Sequence, residues 1–147
     1  MPPLLPLDGR VAVAGQLQPG DMAEIAAAGY VAVVNNRPDR EAMFGQPRTA
    51  ELQKAAEAAG LVFLDLPFSG PRAAPDQVRA FVDLLASQPG QIVAFCKSGM
   101  RSALLWGAAS IASGRSLDEV LTAAMQAGQN LDSVGETMVA LAQSART

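Results

Sequence analysis

The sequence predicts a single α/β domain whose central, mainly parallel sheet has four or five strands and carries helices on both faces. Short apolar runs alternate along the chain with alanine-rich segments of helical periodicity, an order of elements typical of this class. Glycine or proline stands at most of the joins. The length of 147 residues, 50% of them hydrophobic, suffices for one domain with a sizeable core. Because no repeat or linker interrupts the pattern, residues 1–147 are interpreted as one domain.

The first half of the chain supplies two strands that the pattern predicts to be buried. After the short apolar segment Val11–Ala14, a helix is predicted with Asp21 as its N-cap. Tyr30–Asn35 follows as a strand covered on both faces, since its apolar residues do not alternate with polar ones. A helix over residues 49–60 carries one apolar stripe, and residues 61–66 form the next buried strand.

The second half carries the third central strand between two helices. The helix before the strand begins at Pro75, because proline suits the first turn of a helix. Gln91–Phe95 is the strand, and it leads into a helix from about residue 102 to about residue 113. The remaining chain is helical. Two further helices are predicted at 117–127 and 133–145, introduced by capping boxes of Ser116 with Glu119 and Ser133 with Glu136.

The composition excludes several classes of function. With 11 Lys and Arg against 14 Asp and Glu the net charge is −3, and no basic run occurs, so nucleic-acid binding is not expected. The chain has no histidine and one cysteine, which rules out Ser-His-Asp and Cys-His catalysis and histidine-ligated or cysteine-rich zinc sites within one chain. No nucleotide-binding glycine loop is present. We therefore expect neither a metal nor an organic cofactor.

The sequence also favours a cytoplasmic protein. A single cysteine cannot form an intrachain disulfide, which suits a reducing compartment. The first eight residues contain three prolines and no basic side chain, unlike a signal peptide. No apolar stretch approaches the length of a membrane span, so no association with a membrane is expected. The pattern leaves the oligomeric state open.

The chemistry of the chain is expected at residues 96–102, Cys-Lys-Ser-Gly-Met-Arg-Ser. This segment lies at the carboxyl end of a predicted buried strand and at the amino end of a helix, which is where ligands bind in open α/β sheets. Its backbone N–H groups can converge on one point, and the helix dipole adds positive potential there. An anion site is therefore predicted. Its ligands are expected to be Lys97, Ser98, Gly99, Met100, Arg101 and Ser102.

Cys96 is the candidate nucleophile of this site. The helix N-terminus, Lys97 and Arg101 all favour its thiolate form, so that it needs no histidine. Gly99 allows a positive φ, Arg101 offers a planar fork for two oxygens of an oxyanion, and Ser102 is expected to donate a hydrogen bond to the sulfur. The alternative is that Cys96 is a small buried apolar residue, as most free cysteines are. The combination of strand, cysteine, glycine, arginine and helix start in one window favours the functional interpretation.

Four segments carry a family resemblance. They are residues 96–102, Val13-Ala14-Gly15-Gln16-Leu17, Asn35-Asn36-Arg37-Pro38-Asp39 and Leu64-Asp65-Leu66-Pro67. Together they resemble the phosphatase-like domain of the bacterial beta-lactamase hydrolase-like proteins over roughly residues 8–110. The resemblance implies a protein-tyrosine-phosphatase-like fold and a cysteine-dependent phosphatase-like hydrolase. It further implies that Cys96 forms a phosphocysteine, that Arg101 holds the phosphoryl oxygens, and that the loop amides stabilise the transition state.

Departures from the phosphatase pattern favour other chemistry. Four residues separate Cys96 from Arg101, one fewer than in cysteine phosphatases, and this shorter loop resembles the active loop of rhodanese-like sulfurtransferases. Phe95 stands where phosphatases usually have a histidine, and the segment where they carry a general-acid aspartate is Phe68-Ser69-Gly70-Pro71. A sulfurtransferase that carries a persulfide on Cys96 is therefore an alternative function. A domain that binds phosphorylated or sulfonated ligands without catalysis is a third.

Asp39 and Asp65 are the candidate substitutes for the missing acid. Asp39 follows a central strand and is expected at the same edge of the sheet as Cys96, although its surroundings also suit an ordinary turn. Asp65 lies between two leucines within a strand, so its side chain is expected to point away. Asn36 and Arg37, beside Asp39, are expected to contact the substrate. That substrate is predicted to be a small anion, either a phosphate ester or a donor of sulfane sulfur.

Overall fold

The computed structural model describes residues 1–147 and contains one five-stranded sheet. The strands are β1 (Leu5–Pro6), β2 (Val11–Ala14), β3 (Tyr30–Asn35), β4 (Val62–Asp65) and β5 (Gln91–Phe95). Their order in the sheet is β1-β2-β5-β3-β4, and neighbours pair in parallel except for β1, which pairs antiparallel with β2. The prediction of a mainly parallel sheet is confirmed, and β1 is an edge strand that the sequence pattern does not indicate.

Helices cover both faces of this sheet, as predicted. They are α1 (Asp21–Ala27), α2 (Thr49–Ala58), α3 (Pro75–Ser87), α4 (Met100–Ala112), α5 (Leu117–Gln126) and α6 (Gly135–Arg146), with a 3-10 turn at Asp132–Val134 before the last. The first two helices pack on one face, and the other four pack together on the opposite face. None of the helices is long and apolar enough to traverse a lipid bilayer.

The central strands bury a separate set of side chains on each face, because successive residues of a strand point to opposite sides. Along β5, Ile92 and Ala94 belong to a core of 25 buried residues beneath α3 to α6. Val93 and Phe95 belong to a core of 10 buried residues beneath α1 and α2. Since both faces are covered, the strand is an unbroken apolar run in the sequence. Phe81 of α3 contributes a fully buried ring to the larger core.

β4 is an edge strand, and the expectation of a buried strand at 61–66 is wrong. It pairs with β3 on one side only, and Val62 remains 39% exposed. Its apolar run shows no alternation because helices partly cover both of its faces. Phe63 packs against the smaller core and Leu64 against the larger one. An apolar run therefore records coverage of both faces and does not distinguish a central strand from an edge strand.

Two of the predicted helix starts also shift. α1 begins at Asp21 itself, with Gly20 as its N-cap. α6 begins at Gly135 and has no capping box, because Ser133 lies inside the 3-10 turn and its backbone is not free to take the extended N-cap conformation. The capping box predicted at Ser116 is confirmed. Local sequence thus predicts the cap where the preceding chain is extended and fails where a turn already occupies the position.

The carboxyl ends of β2, β5 and β3 meet at one edge of the sheet, and the loops that follow them touch. The amide of Cys96 donates to the last carbonyl of β2 at 3.3 Å, and the amide of Asn36 donates to the last carbonyl of β5 at 2.8 Å. Gly15, directly after β2, has little room for a side chain, since a β-carbon there would lie 3.0 Å from the Lys97 carbonyl oxygen. The sheet therefore brings three polar loops to one place.

Phe81→Ala is expected to destabilise the domain by about 3–5 kcal/mol, because it removes a fully buried ring from the larger core and leaves a cavity. Urea unfolding followed by circular dichroism measures the change in the free energy of unfolding. Asp83→Ala, at an exposed position of the same helix, is the control and should change it by less than about 0.5 kcal/mol. A loss below about 1 kcal/mol for Phe81→Ala would contradict this description of the core.

Candidate active site

Cys96 lies at the start of a tight turn that joins β5 to α4. The turn comprises residues 96–99, and Gly99 takes a φ of 95°, a left-handed conformation that favours glycine. A β-carbon on Gly99 would also lie 2.8 Å from the side-chain nitrogen of Gln129. In this conformation the Gly99 amide donates a hydrogen bond to the buried Cys96 Sγ, 3.1 Å away. A donor directed at the sulfur stabilises negative charge on it.

The other backbone N–H groups of the loop have no acceptor within the protein. They are those of Lys97, Ser98, Met100, Arg101 and Ser102. α4 begins at Met100, two residues earlier than the sequence pattern indicates, so that its first turn forms part of the loop. The side chain of Gln129 supports this arrangement, with Nε2 donating to the Ser98 carbonyl at 3.3 Å. Free amides at a helix N-terminus form an anion-binding arrangement.

Two acceptors hold the guanidinium of Arg101 and leave one of its edges free. Nη1 and Nη2 donate to the two carboxylate oxygens of Glu41 at 2.7 and 2.9 Å, and Nη1 also donates to the Phe68 carbonyl at 3.1 Å. These bonds use three of the five guanidinium N–H groups. The Nε–H and the second Nη2–H remain, and they lie together along the side-on edge of the planar group. Arginine binds two oxygens of a phosphate or carboxylate with such an edge.

Glu41 is a carboxylate shared by two arginines. Besides Arg101, the Nε of Arg37 donates to Glu41 Oε1 at 2.8 Å. Mainly through the hydrogen bonds from Arg101, the pKa of Glu41 falls to about 2, although partial burial opposes the shift. The same hydrogen bonds raise the pKa of Arg101, against its partial burial, and the nearby Cys96 sulfur raises it further. Glu41 is therefore ionised near neutral pH and carries no proton that it could donate.

The loop that carries Glu41 is itself held in shape. The side-chain oxygen of Gln46 accepts the amides of Glu41 and Ala42, each at 3.0 Å, and its nitrogen donates to a carbonyl of the same loop at 2.8 Å. Arg40 adopts a φ of 66° and is the one residue other than glycine in the left-handed region. The chain thus reverses just before Glu41, and the carboxylate meets the guanidinium of Arg101.

These side chains line a cleft of about 440 Å³ beside the cysteine turn. Its walls are formed by Arg37, Glu41, Ala42, Gly70, Lys97 and Arg101. Ala42 is the one hydrophobic residue among them, and none is aromatic. Met100 turns its side chain to solvent, 39% exposed, and contributes its amide alone. Three cations and one carboxylate give the cleft a positive charge in a protein whose net charge is −3, so the cleft favours an anionic ligand.

Ser102 and Asn36 form a buried pair and do not reach the cleft. The Ser102 hydroxyl donates to Asn36 Oδ1 at 2.7 Å, and Asn36 Nδ2 donates to the Leu66 carbonyl at 3.0 Å. Both residues are 0% exposed. The structure therefore contradicts two predictions. The hydroxyl proton of Ser102 is used on the amide and not on the sulfur, and Asn36 joins α4 to the sheet edge and cannot contact a substrate.

Neither of the predicted acids faces the cleft. Asp39 Oδ1 accepts hydrogen bonds from the amide and the hydroxyl of Thr49 at 2.8 and 2.9 Å, which fixes the start of α2. Asp65 accepts a hydrogen bond from Asn35 Nδ2 at 2.9 Å, at the carboxyl ends of β3 and β4. The structure thus contradicts the expectation that Asp39 serves as the general acid, because its carboxylate is engaged with the first residue of a helix.

Three residues that shape the site carry no motif. Glu41 and Gln46 lie in a loop between a strand and a helix, and Gln129 lies in the connection that follows α5. The available signal is weak: Glu41 is the single carboxylate between Arg40 and Arg48. A carboxylate among arginines indicates an ion pair but not which arginine it binds, because that depends on the tertiary fold.

Sequence comparison relates most of the chain to a described family. Residues 5–114 match the phosphatase-like domain of beta-lactamase hydrolase-like protein. The Beta-lactamase hydrolase-like protein of Agrobacterium fabrum is 34% identical over 109 residues, which is 74% of this chain and 25% of that protein. The protein of the same description from Xylella fastidiosa is 31% identical over 112 residues, 76% of this chain and 26% of that protein. The chain spans about a quarter of the length of these curated relatives.

Solved structures share the fold. A crystal structure from Neisseria meningitidis, described as a candidate phosphatase, aligns with a TM-score of 0.80 at 32% identity and covers 94% of this chain and 97% of that one. Tk-PTP in its active form aligns with a TM-score of 0.72 at 19% identity, covering 97% and 95% of the two chains. PTPMT1 aligns with a TM-score of 0.73 at 18% identity, covering 97% and 95%. The last two are similar in fold alone.

Glu41→Gln is expected to destabilise the domain by about 1 kcal/mol near neutral pH and by less in acid. The pKa of Glu41 is about 2 in the folded protein against an ordinary value of 4.5. A lowered carboxyl pKa contributes stability that is fully present above the ordinary value and is lost as the pH falls towards the folded one. Urea unfolding of both proteins at about pH 7 and about pH 3 should show the difference shrinking by more than half.

The control for this prediction is Glu57→Gln, which removes an exposed carboxylate of α2 without a hydrogen bond or ion pair. It should change the free energy of unfolding little and equally at both pH values. A difference between the wild type and Glu41→Gln that stays constant across this pH range would show that the carboxylate is not held by its arginines in solution.

Proposed function

The chain belongs to the family of phosphatase-like domains of beta-lactamase hydrolase-like proteins, and from this we propose that it is a cysteine-dependent phosphatase-like hydrolase with Cys96 as its nucleophile. The observation that carries the proposal is the free side-on edge of Arg101, held by Glu41 beside a turn whose amides have no acceptor. A phosphoryl group bound there accepts hydrogen bonds from both sources. Family and fold support a phosphatase-like enzyme, and the geometry of the turn supports the choice of nucleophile.

In the proposed reaction the Cys96 thiolate attacks the phosphorus of a phosphate monoester. A sulfur–phosphorus bond forms while the bond from phosphorus to the ester oxygen breaks, and its electron pair leaves with that oxygen. Water then attacks the phosphocysteine, inorganic phosphate and a proton are released, and the electron pair of the sulfur–phosphorus bond returns to sulfur. Arg101 and the free amides of the loop bind the non-bridging oxygens, where charge is concentrated in both steps.

The departing oxygen receives no proton from a residue of the cleft in this proposal. Asp39 and Asp65 are engaged elsewhere, Glu41 is ionised, and residues 68–71 contain no carboxylate. General acid catalysis is worth about 10²–10⁴-fold in rate. The enzyme should therefore act best on esters whose leaving oxygen is stable as an anion, such as aryl phosphates, and slowly on alkyl phosphates.

Sulfur transfer is a second candidate, favoured by the short loop from Cys96 to Arg101. In this reaction the Cys96 thiolate attacks the outer sulfur of thiosulfate, the sulfur–sulfur bond of the donor breaks, and sulfite leaves with its electron pair. The enzyme is left with a persulfide, whose outer sulfur then passes to an acceptor thiolate. The Gly99 amide, already directed at Sγ, supports this alternative because it stabilises a second anionic sulfur species equally well.

Cys96→Ser is expected to abolish hydrolysis of para-nitrophenyl phosphate, and Arg101→Lys to lower kcat/KM by at least about 10²-fold, because an ammonium group cannot replace the planar fork. Release of para-nitrophenol measures turnover, and circular dichroism checks the fold of each variant. Arg48→Lys, an exposed position outside the cleft, is the matched control and should retain full activity. Binding of phosphate without turnover of any ester would contradict the hydrolase and favour a non-catalytic anion-binding domain.

The intact mass after exposure to thiosulfate separates the two reactions. The proposed hydrolase predicts an unchanged mass for the wild type and for Cys96→Ser. A gain of one sulfur atom in the wild type, absent in Cys96→Ser and reversed by dithiothreitol, would contradict this prediction and assign the loop to sulfur transfer. Mass spectrometry of the same sample after digestion locates the added atom.

A further inference from the structure

Arg37 presents an unpartnered guanidinium nitrogen to the cleft. Its side chain is 6% exposed, with Nε bound to Glu41 and Nη1 bound to Gln16 Oε1 at 2.9 Å. Nη2 has no hydrogen-bond partner in the protein, although no fully buried side-chain nitrogen or oxygen lacks one. The small exposed part of the side chain must therefore include Nη2. Arg37 is one of the residues that line the cleft, and Nη2 is its guanidinium nitrogen without a partner in the protein.

Arg37 lies next to Arg101, the arginine beside the cysteine turn. Its Nε and the Nη2 of Arg101 lie within 2.8 and 2.9 Å of the same oxygen, Glu41 Oε1. The shared carboxylate binds the end-on edge of Arg101 and the Nε of Arg37, and it reaches neither the side-on edge of Arg101 nor the Nη2 of Arg37. Two adjacent residues that line one cleft thus each keep donors that have no acceptor in the protein.

The cleft is larger and more polar than a site for one phosphoryl group. A volume of about 440 Å³ lies in the range of pockets that hold small organic molecules. The aromatic ring of a phosphotyrosine would find a single apolar side chain, Ala42, and no ring to pack against. One carboxylate against Arg37, Lys97 and Arg101 leaves the cleft with a net positive charge.

We propose that the substrate carries two anionic groups: a phosphoryl group at the cysteine turn and Arg101, and a second anion bound by Nη2 of Arg37. The substrate class is a small phosphate ester with a second phosphate or a carboxylate, and not the phosphotyrosine of a protein. This inference rests on the proposed function, because the first group is placed where the reaction occurs. A buried arginine whose free donors face a cleft is suited to such a role, since burial fixes its direction and charge strengthens each hydrogen bond.

Isothermal titration calorimetry with phosphonates tests the proposal without turnover. The probes are methylphosphonate, which has one anionic group, and methylene-, ethylene- and propylene-bisphosphonate, which have two at increasing separation. We expect at least one bisphosphonate to bind the wild-type protein with a dissociation constant at least about tenfold below that of methylphosphonate. A phosphonocarboxylate of the same spacing distinguishes a preference for phosphate from one for carboxylate at Arg37.

Arg37→Gln should reduce the preference for the bisphosphonate over methylphosphonate, with both ligands measured on the same variant, to about twofold or less, the statistical advantage of two equal groups. Arg48→Gln removes the same charge outside the cleft and should keep the full preference. If Arg37→Gln does not fold, Arg37→Lys keeps the charge without the planar fork and should lose most of the preference.

The outcomes are distinct. Equal binding of mono- and bisphosphonates by the wild type, or a preference that persists in Arg37→Gln, would overturn the second subsite and leave the proposed hydrolase standing. Binding of neither methylphosphonate nor any bisphosphonate would overturn the anion-binding turn itself, and both proposals with it. If Arg48→Gln lost the preference for bisphosphonates as fully as Arg37→Gln, the preference would come from the overall charge of the protein. That result would also overturn the role of Arg37.

Discussion

The hydrogen bond from the Gly99 amide to the Cys96 sulfur spans 3.1 Å and depends on a backbone conformation that residues with a side chain rarely adopt. With that conformation the chain passes from β5 into α4 within four residues, so that the first turn of the helix adds its free amides to the candidate site. Arg101 stands on this turn, and its pairing with Glu41 follows from where the turn places it. The side chain of Gln129 also packs so close to residue 99 that only a residue without a β-carbon fits there.

The central strands could be predicted to the residue, whereas the periphery could not. Tyr30–Asn35 and Gln91–Phe95 are buried on both faces, and such burial forces an apolar run whose ends are marked by the first polar residues. Val62–Asp65 has a similar pattern for a different reason, since helices partly cover an edge strand. Leu5–Pro6 is too short to produce a pattern, and its pairing depends on a neighbour that follows it in the chain.

The residues of the candidate site likewise divide into those that the sequence predicts and those that it does not. Cys96 and Arg101 could be predicted because the geometry that joins them is local, one strand end and one helix start. Glu41 could not, because its pairing with Arg101 spans 60 positions of the sequence. A polar residue after a buried strand either faces a ligand or closes the edge of the sheet, and sequence alone does not separate these roles. Asn36 and Ser102 close the edge of the sheet, since they form a hydrogen bond with each other at a position that no water can reach.

The two cores differ in size, with 25 buried residues on one side of the sheet and 10 on the other. The loop of Glu41 runs from β3 to α2, and α2 packs on the smaller core, whereas the cysteine turn leads into α4, which packs in the larger one. Local opening costs less where less apolar surface is exposed, so we expect the amide hydrogens of α1 and α2 to exchange with solvent faster than those of α4. We expect such an opening to separate Arg101 from Glu41 while the cysteine turn keeps its shape. The direction of the Arg101 guanidinium is thus tied to the side of the sheet with the smaller core, whereas the cysteine turn is tied to the side with the larger one.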